Sequence, residues 1–164
     1  MSIIAERVKS GAARMGLELD DTAAQRFARY YDLLVEGNQK MNLTAVLEPE
    51  EAVDRHFLDS IAPAVLGLLP EGVKMVDVGT GAGFPGLPLL IARPDIQLTL
   101  VDSLNKRLEF LRGVLGKHID MKFTPDLRFR HDESFDAAGR MDRLFNDPRV
   151  QADLARTDED DAGY

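Results

Sequence analysis

The 164-residue chain contains no cysteine and no tryptophan, and only 7% of it is aromatic. Without cysteine there is no disulfide scaffold, no thiolate metal centre and no cysteine nucleophile. The three histidines fall at none of the usual ligand spacings, so no metal is expected. No apolar run approaches the ~20 residues that span a bilayer. The opening stretch, MSIIAERVKSGAARMG, mixes charges and has no signal-peptide core. No membrane partner and a cytoplasmic location are therefore expected. Basic clusters are also scarce: 20 Lys and Arg stand against 28 Asp and Glu, a net charge of −8. That balance argues against indiscriminate nucleic-acid binding, which depends on many cation–phosphate contacts. It leaves room for a local patch that meets one structured RNA. No internal repeat is visible.

What is present is a 45% hydrophobic chain of a length that suits one domain. Residues 1–36 read as helical: Asp20, Asp21 and Thr22 offer caps, and Phe27, Tyr30, Tyr31, Leu34 and Val35 recur at helical spacing. Gly37-Asn38 is expected to break that helix. After the connector 42–47, Glu48-Pro49-Glu50-Glu51 starts a helix that runs toward Leu69. The period then changes. Strands are expected over 73–78 and 96–101, separated by a glycine cluster with Pro85 in a first helical turn and a helix through Leu87–Ala92. An amphipathic helix follows over Asn105–Leu115. Strand, glycine loop, helix, strand, helix predicts parallel pairing and a doubly wound α/β core.

The glycine loop is the most informative stretch. Asp77-Val78-Gly79-Thr80-Gly81-Ala82-Gly83-Phe84-Pro85-Gly86 stands between a strand and a helix, where glycines let the backbone turn and approach a ligand. Asp102 ends the next strand, where a carboxylate can accept both hydroxyls of a ribose. Two cofactors compete for this loop. Gly81-x-Gly83-x-x-Gly86 formally matches a dinucleotide pattern, which would mean a nicotinamide cofactor. The D-x-G-x-G-x-G form resembles class I methyltransferases and their S-adenosylmethionine loop. Phe84 either joins the core or flanks an adenine.

Four separated motifs carry a more specific resemblance: NQKMNLTAV, RHFLDSI, VDVGTGAGFPGLPL and VDSLNKRLEFL. Over about residues 20–116 the chain resembles the ribosomal RNA small subunit methyltransferase G family, also called glucose-inhibited division protein B. The resemblance implies a Rossmann-like class I methyltransferase core, incomplete here, with an N-terminal helical cap. It implies S-adenosylmethionine-dependent methylation of the N7 of one guanine in small-subunit (16S) ribosomal RNA. Gly79 and Phe84 would contact the cofactor, with Gly81 and Gly83 in the same loop, and Asp102 would hold the ribose. Asn42, Thr44, Arg55, His56 and Asp59 come from the front motifs and would line the substrate side, with Arg55 on a phosphate; the bland alternative is helix capping and a buried polar network. The family's usual tryptophan before the first motif's asparagine is replaced by Gly37. Its Ala-Glu pair and arginine-bearing strand end are not recognisable after Leu115. No catalytic residue is assigned.

Beyond Gly116 the pattern changes. Ile119, Met121 and Phe123 alternate, as do Leu127 and Phe129, which reads as a strand broken near Pro125. Ser134 caps a helix carrying Phe135, Ala138, Met141, Leu144 and Phe145, and Asp147-Pro148 starts another. HIDMKFTPDLRFRHDESFDAAGRMDRLF resembles the C-terminal end of ribosome-binding factor A. The expected organisation is a helical cap over 1–70, a cofactor-binding half over 71–116, a strand–helix tail over 117–157 and a disordered acidic end over 158–164. Lys106, Arg107, Arg112, Arg128 and Arg130 are candidates for RNA contact, and His118 and His131 read as surface or strand residues. The alternative function is a non-catalytic ribosome-assembly or rRNA-binding protein. In either reading the partner is small-subunit ribosomal RNA or the ribosomal subunit.

Overall fold

The computed structural model describes residues 2–117, 128–131 and 148. The expected tail helices from Ser134 onward, His118 and the acidic end lie outside the described residues, Pro148 aside. Among the described residues, no helix is long and apolar enough to cross a membrane.

The N-terminal cap is built from two well-capped helices. Helix α1, Ile3–Met15, starts where the Ser2 hydroxyl accepts the Ala5 amide and ends at Gly16, with φ of 94°. Helix α2, Asp21–Met41, starts where the Asp20 carboxylate accepts the Ala23 amide at 2.6 Å. It runs through Gly37-Asn38 rather than breaking there. Gly37 is buried, and a Cβ on it would stand 2.6 Å from the Phe110 ring, so tertiary packing overrides a weak helix former. The helix stops at Asn42, which takes the left-handed conformation with φ of 47°.

The next helical stretch changes character midway. Helix α3, Pro49–Ala52, opens with Pro49 in its first turn and the Glu48 carboxylate capping it, as the sequence predicts. A π-helical segment, Val53–Leu58, follows and leads directly into α4, Asp59–Val65. The stretch ends short of Leu69, because Gly67 turns left-handed with φ of 66° and the Leu68 amide returns to the Pro63 carbonyl.

Three parallel strands follow in the order β1-β2-β3: β1 Lys74–Val78, β2 Gln97–Asp102 and β3 Arg128–His131. Met75 pairs with Leu98 and Asp77 with Leu100; Leu100 in turn pairs with Phe129. Helix α5, Gly86–Ala92, crosses from β1 to β2, and α6, Asn105–Lys117, leaves β2. Pro85 stands just before the first helical residue of α5, at its cap. Both helices pack on α2, so both lie on one face of the sheet. The core forms there, from Phe27, Tyr30 and Phe57 of the cap with Leu87, Leu90, Leu98 and Leu100 of the α/β half. On the other face Val76 and Val78 are 60% and 68% exposed. Among the described residues the sheet is thus wound in one direction only, not doubly. Two crossovers that advance the same way place their helices on the same side, since such connections are right-handed.

Candidate functional site

The glycine loop leaves the end of β1 and is clamped from several sides. Val101, on the neighbouring strand, accepts the amides of both Gly79 and Thr80, at 2.8 and 3.1 Å. The Asp77 carboxylate reaches forward under the loop. Its Oδ2 accepts the Thr80 hydroxyl at 2.8 Å and the Gly86 amide at 3.0 Å. Burial raises the Asp77 pKa above the usual carboxylate value, and nearby Asp102 adds to the rise, while these two hydrogen bonds oppose it. From the cap, the buried Tyr30 hydroxyl donates to the Ala82 carbonyl at 2.6 Å. Burial pushes that phenol well above its ordinary pKa, so it stays a donor. Asp77 and Tyr30 were not among the residues singled out as site candidates. Asp77 had a signal, the acid two places before the first glycine. Tyr30 had only its place on the buried helical face, where a phenol needs a partner.

Gly79, Gly81 and Gly83 do different work. Gly79 and Gly81 take positive φ, 74° and 58°, and face open space: nothing lies within 4 Å of a Cβ built on Gly79, and only the Gly79 carbonyl, at 3.8 Å, near one on Gly81. Gly83 faces inward. A Cβ there would stand 2.7 Å from the Tyr30 hydroxyl, 2.8 Å from Leu87 and 2.9 Å from Leu111. Phe84 also turns inward, with ring centroids 5.7 Å from Tyr30 and 6.2 Å from Phe57.

Asp102 sits behind the loop with a side chain only 2% exposed. Its Oδ2 accepts the Gly81 amide and its Oδ1 the Leu104 amide, each at 2.8 Å. Arg107 lies 3.6 Å from the same Oδ2. The carboxylate therefore ties the glycine loop to the β2–α6 turn, and each oxygen keeps one lone pair.

The front-motif residues gather beside the loop through His56. Its ring stacks on Phe84 with centroids 4.5 Å apart and planes 12° from parallel. Its Nε2 lies 2.9 Å from Thr44 Oγ1 and 3.2 Å from the Val46 carbonyl. Burial lowers the His56 pKa below its usual value, with Arg55 adding to the fall and the Val46 hydrogen bond opposing it. The connector 42–47 is held by further bonds, from the Thr44 amide to Asn38 Oδ1 at 2.8 Å and from the Tyr31 hydroxyl to the Leu47 carbonyl at 2.7 Å. Arg55 pairs with Glu51 on the outer face. Asn42 serves as the left-handed end of α2. A cavity of about 560 Å³ opens on the outer side, lined by Val46, Asp54, Arg55, His56 and Asp59. Among the described residues no cluster of His, Asp or Glu has the geometry to hold a metal ion.

Comparison with known proteins gives this arrangement a lineage. The family model described as rRNA small subunit methyltransferase G matches residues 23–133. A ribosomal RNA small subunit methyltransferase G from Alkaliphilus metalliredigens is 50% identical over 107 residues, which cover 65% of this chain and 45% of that protein. The protein of the same name from Streptococcus pneumoniae is 42% identical over 144 residues, covering 80% of this chain and 60% of the relative. The chain thus spans about half to three-fifths of the length of these curated relatives. The family match also runs past Gly116, where the motif resemblance ends, and takes in β3. The helical cap and parallel strands are a partial class I methyltransferase fold, and the chain belongs to the rRNA small subunit methyltransferase G family.

Proposed function

We propose that this chain takes part in S-adenosylmethionine-dependent methylation of the N7 of a guanine in small-subunit (16S) ribosomal RNA. The observation that carries the reading is the open backbone at Gly79 and Gly81, side-chain-free and rigidly clamped at the strand end, with the Asp102 carboxylate directly behind it. Family membership supports a methyl donor over a nicotinamide. The two glycines present bare backbone to an adenosyl ligand, while Asp102, with its side chain 2% exposed, acts from behind by fixing the Gly81 amide rather than by meeting a ribose directly. Gly83 and Phe84, both turned inward, shape the loop rather than line its open side.

S-adenosylmethionine supplies a methyl group made electrophilic by its sulfonium. Guanine N7 offers an in-plane lone pair and carries no proton, so the chain need supply no general base. Its contribution is positioning, which can account for several orders of magnitude in rate. Tyr30 and Asp77 hold the loop in one shape, and the His56–Phe84 stack links that loop to the substrate side. No side chain is assigned a catalytic role.

The test is calorimetric titration of the folded chain with S-adenosylmethionine and, as control, NAD. Saturable binding of the first alone is expected. Asp102→Asn should weaken it at least about tenfold, the cost of one charge-assisted hydrogen bond. Transfer to small ribosomal subunits, mapped by strand scission at 7-methylguanine, follows. A folded sample that binds no S-adenosylmethionine defeats the proposal.

A further inference from the structure

His56 and Phe57 are neighbours in sequence, yet both pack on the ring of Phe84, with centroids 4.5 and 6.2 Å away. In an α-helix, adjacent side chains diverge by about 100° around the axis. The wider i to i+5 turn of the Val53–Leu58 segment narrows that angle, with the Asp59 amide reaching back to the Asp54 carbonyl. Such turns inside helices are frequent at functional sites. The imidazole is held at its edge by the connector 42–47. Its Nε2 lies 3.2 Å from the Val46 carbonyl, which can only accept, so Nε2 carries the proton. The same N–H meets Thr44 Oγ1 at 2.9 Å. That oxygen also accepts the Val46 amide at 3.0 Å, so one atom of Thr44 fixes both the imidazole and the connector backbone.

Through Phe84 the stack reaches the glycine loop. The Phe84 amide donates to the Thr80 carbonyl at 3.1 Å, and the Gly83 amide donates to the same carbonyl at 2.8 Å. Thr80 stands between Gly79 and Gly81, the two residues whose bare backbone faces open space. A tilt of the imidazole therefore displaces the residue that anchors this turn, because closely packed groups transmit strain. Thr44 bonds to Asn38, Val46 and His56, and reaches the loop through the last of these. We propose that Thr44 is a positioning residue for the glycine loop. Its hydroxyl sets the plane of the His56 ring, which holds the Gly79–Gly81 turn through Phe84 in the shape that receives the ligand. The identity of that ligand rests on the S-adenosylmethionine reading given above, to which this adds a residue outside the loop.

The test combines backbone hydrogen exchange with S-adenosylmethionine titration of the full chain. The variants are Thr44→Val, Thr44→Ser, His56→Phe and the Thr44→Val/His56→Phe pair. Thr44→Val keeps the side-chain shape and removes the hydroxyl. It should speed exchange at the Gly81 and Gly83 amides, bonded to Asp102 and Thr80, by more than at Gln97, whose amide bonds to Val73 at the opposite end of the sheet. S-adenosylmethionine affinity should fall about fivefold, the equivalent of one neutral hydrogen bond. Thr44→Ser, which keeps the hydroxyl, should restore both readings. The double variant should lose no more than the larger single loss, since both changes break one linkage. A uniform rise in exchange at all three amides would reduce Thr44 to a general stabiliser and overturn the proposal. So would unchanged exchange in the loop, a Thr44→Ser variant as impaired as Thr44→Val, or additive losses in the pair. Exchange needs no ligand, so the two readings separate. The exchange pattern without any S-adenosylmethionine binding would bring down the methyltransferase reading and leave Thr44 as the loop's positioning residue. Binding of equal strength in the original chain and in Thr44→Val would do the reverse.

Discussion

At the scale of single residues, the site depends on polar groups that brace backbone rather than face solvent. His56 is the clearest case, because one ring joins the connector 42–47 to the glycine loop through a stack on Phe84. Burial lowers its pKa from the ordinary value of 6.5, so the folded chain binds its proton less readily than the unfolded chain does. Stability then depends on pH with a definite sign. The contribution is fully present above pH 6.5 and is lost as pH falls through the lower folded-state pKa. Thermal melts from pH 7.5 down to pH 5 should show a falling midpoint, and His56→Phe, which keeps an aromatic stack, should flatten that part of the curve. An unchanged slope in the variant would assign the pH dependence to other groups. Little of this was legible in the sequence. His56 and Phe84 stood out as motif residues, but their stacking is a contact between distant segments that no local pattern encodes. Asp102 was legible as a carboxylate at a strand end. That both its oxygens already serve backbone amides follows only from the fold.

At the scale of elements, the strands and helices of the α/β half were legible, because hydrophobic period and glycine placement state them directly. The misreadings have physical causes. The α2 helix continues through Gly37-Asn38 because the close approach of Phe110 favours a residue without a Cβ. The π-helical turn has no sequence signature in hydrophobic spacing. The glycine loop shows how one motif hides two roles. Gly83→Ala faces both a φ of 111° and three contacts under 3.0 Å, and should cost about 2–4 kcal/mol of stability. Gly79→Ala faces only a φ of 74° with open space around it, and should cost about 1–2 kcal/mol while placing a methyl group where the ligand approaches. Urea denaturation paired with S-adenosylmethionine titration separates the two. Gly83→Ala should lose mainly stability, and Gly79→Ala should lose more affinity than its stability cost accounts for. Equal stability losses would mean that Gly83 is not the packing glycine that the geometry makes it.

At the scale of the whole molecule, the notable feature is that, among the described residues, the parallel sheet has helices on one face. All-parallel sheets are ordinarily covered on both faces, and their strands read as buried apolar runs. The sequence of β1 reads that way, which is why it was legible as a buried strand. Yet Val76 and Val78 are 60% and 68% exposed on an edge strand of the three. The cause is the winding, since α5 and α6 both pack against α2 on the opposite side. Exposed β-branched residues on an unpaired strand edge are a template for association between copies. Sedimentation velocity over a concentration series should therefore show reversible self-association of the chain. Val76→Thr with Val78→Thr keeps the β-branched shape and adds a hydroxyl to each exposed side chain. The double variant should shift the series toward monomer, with stability within about 0.5 kcal/mol of the original, the range expected for surface substitutions. A concentration series identical for both proteins would show that the bare face of β1 does not drive association.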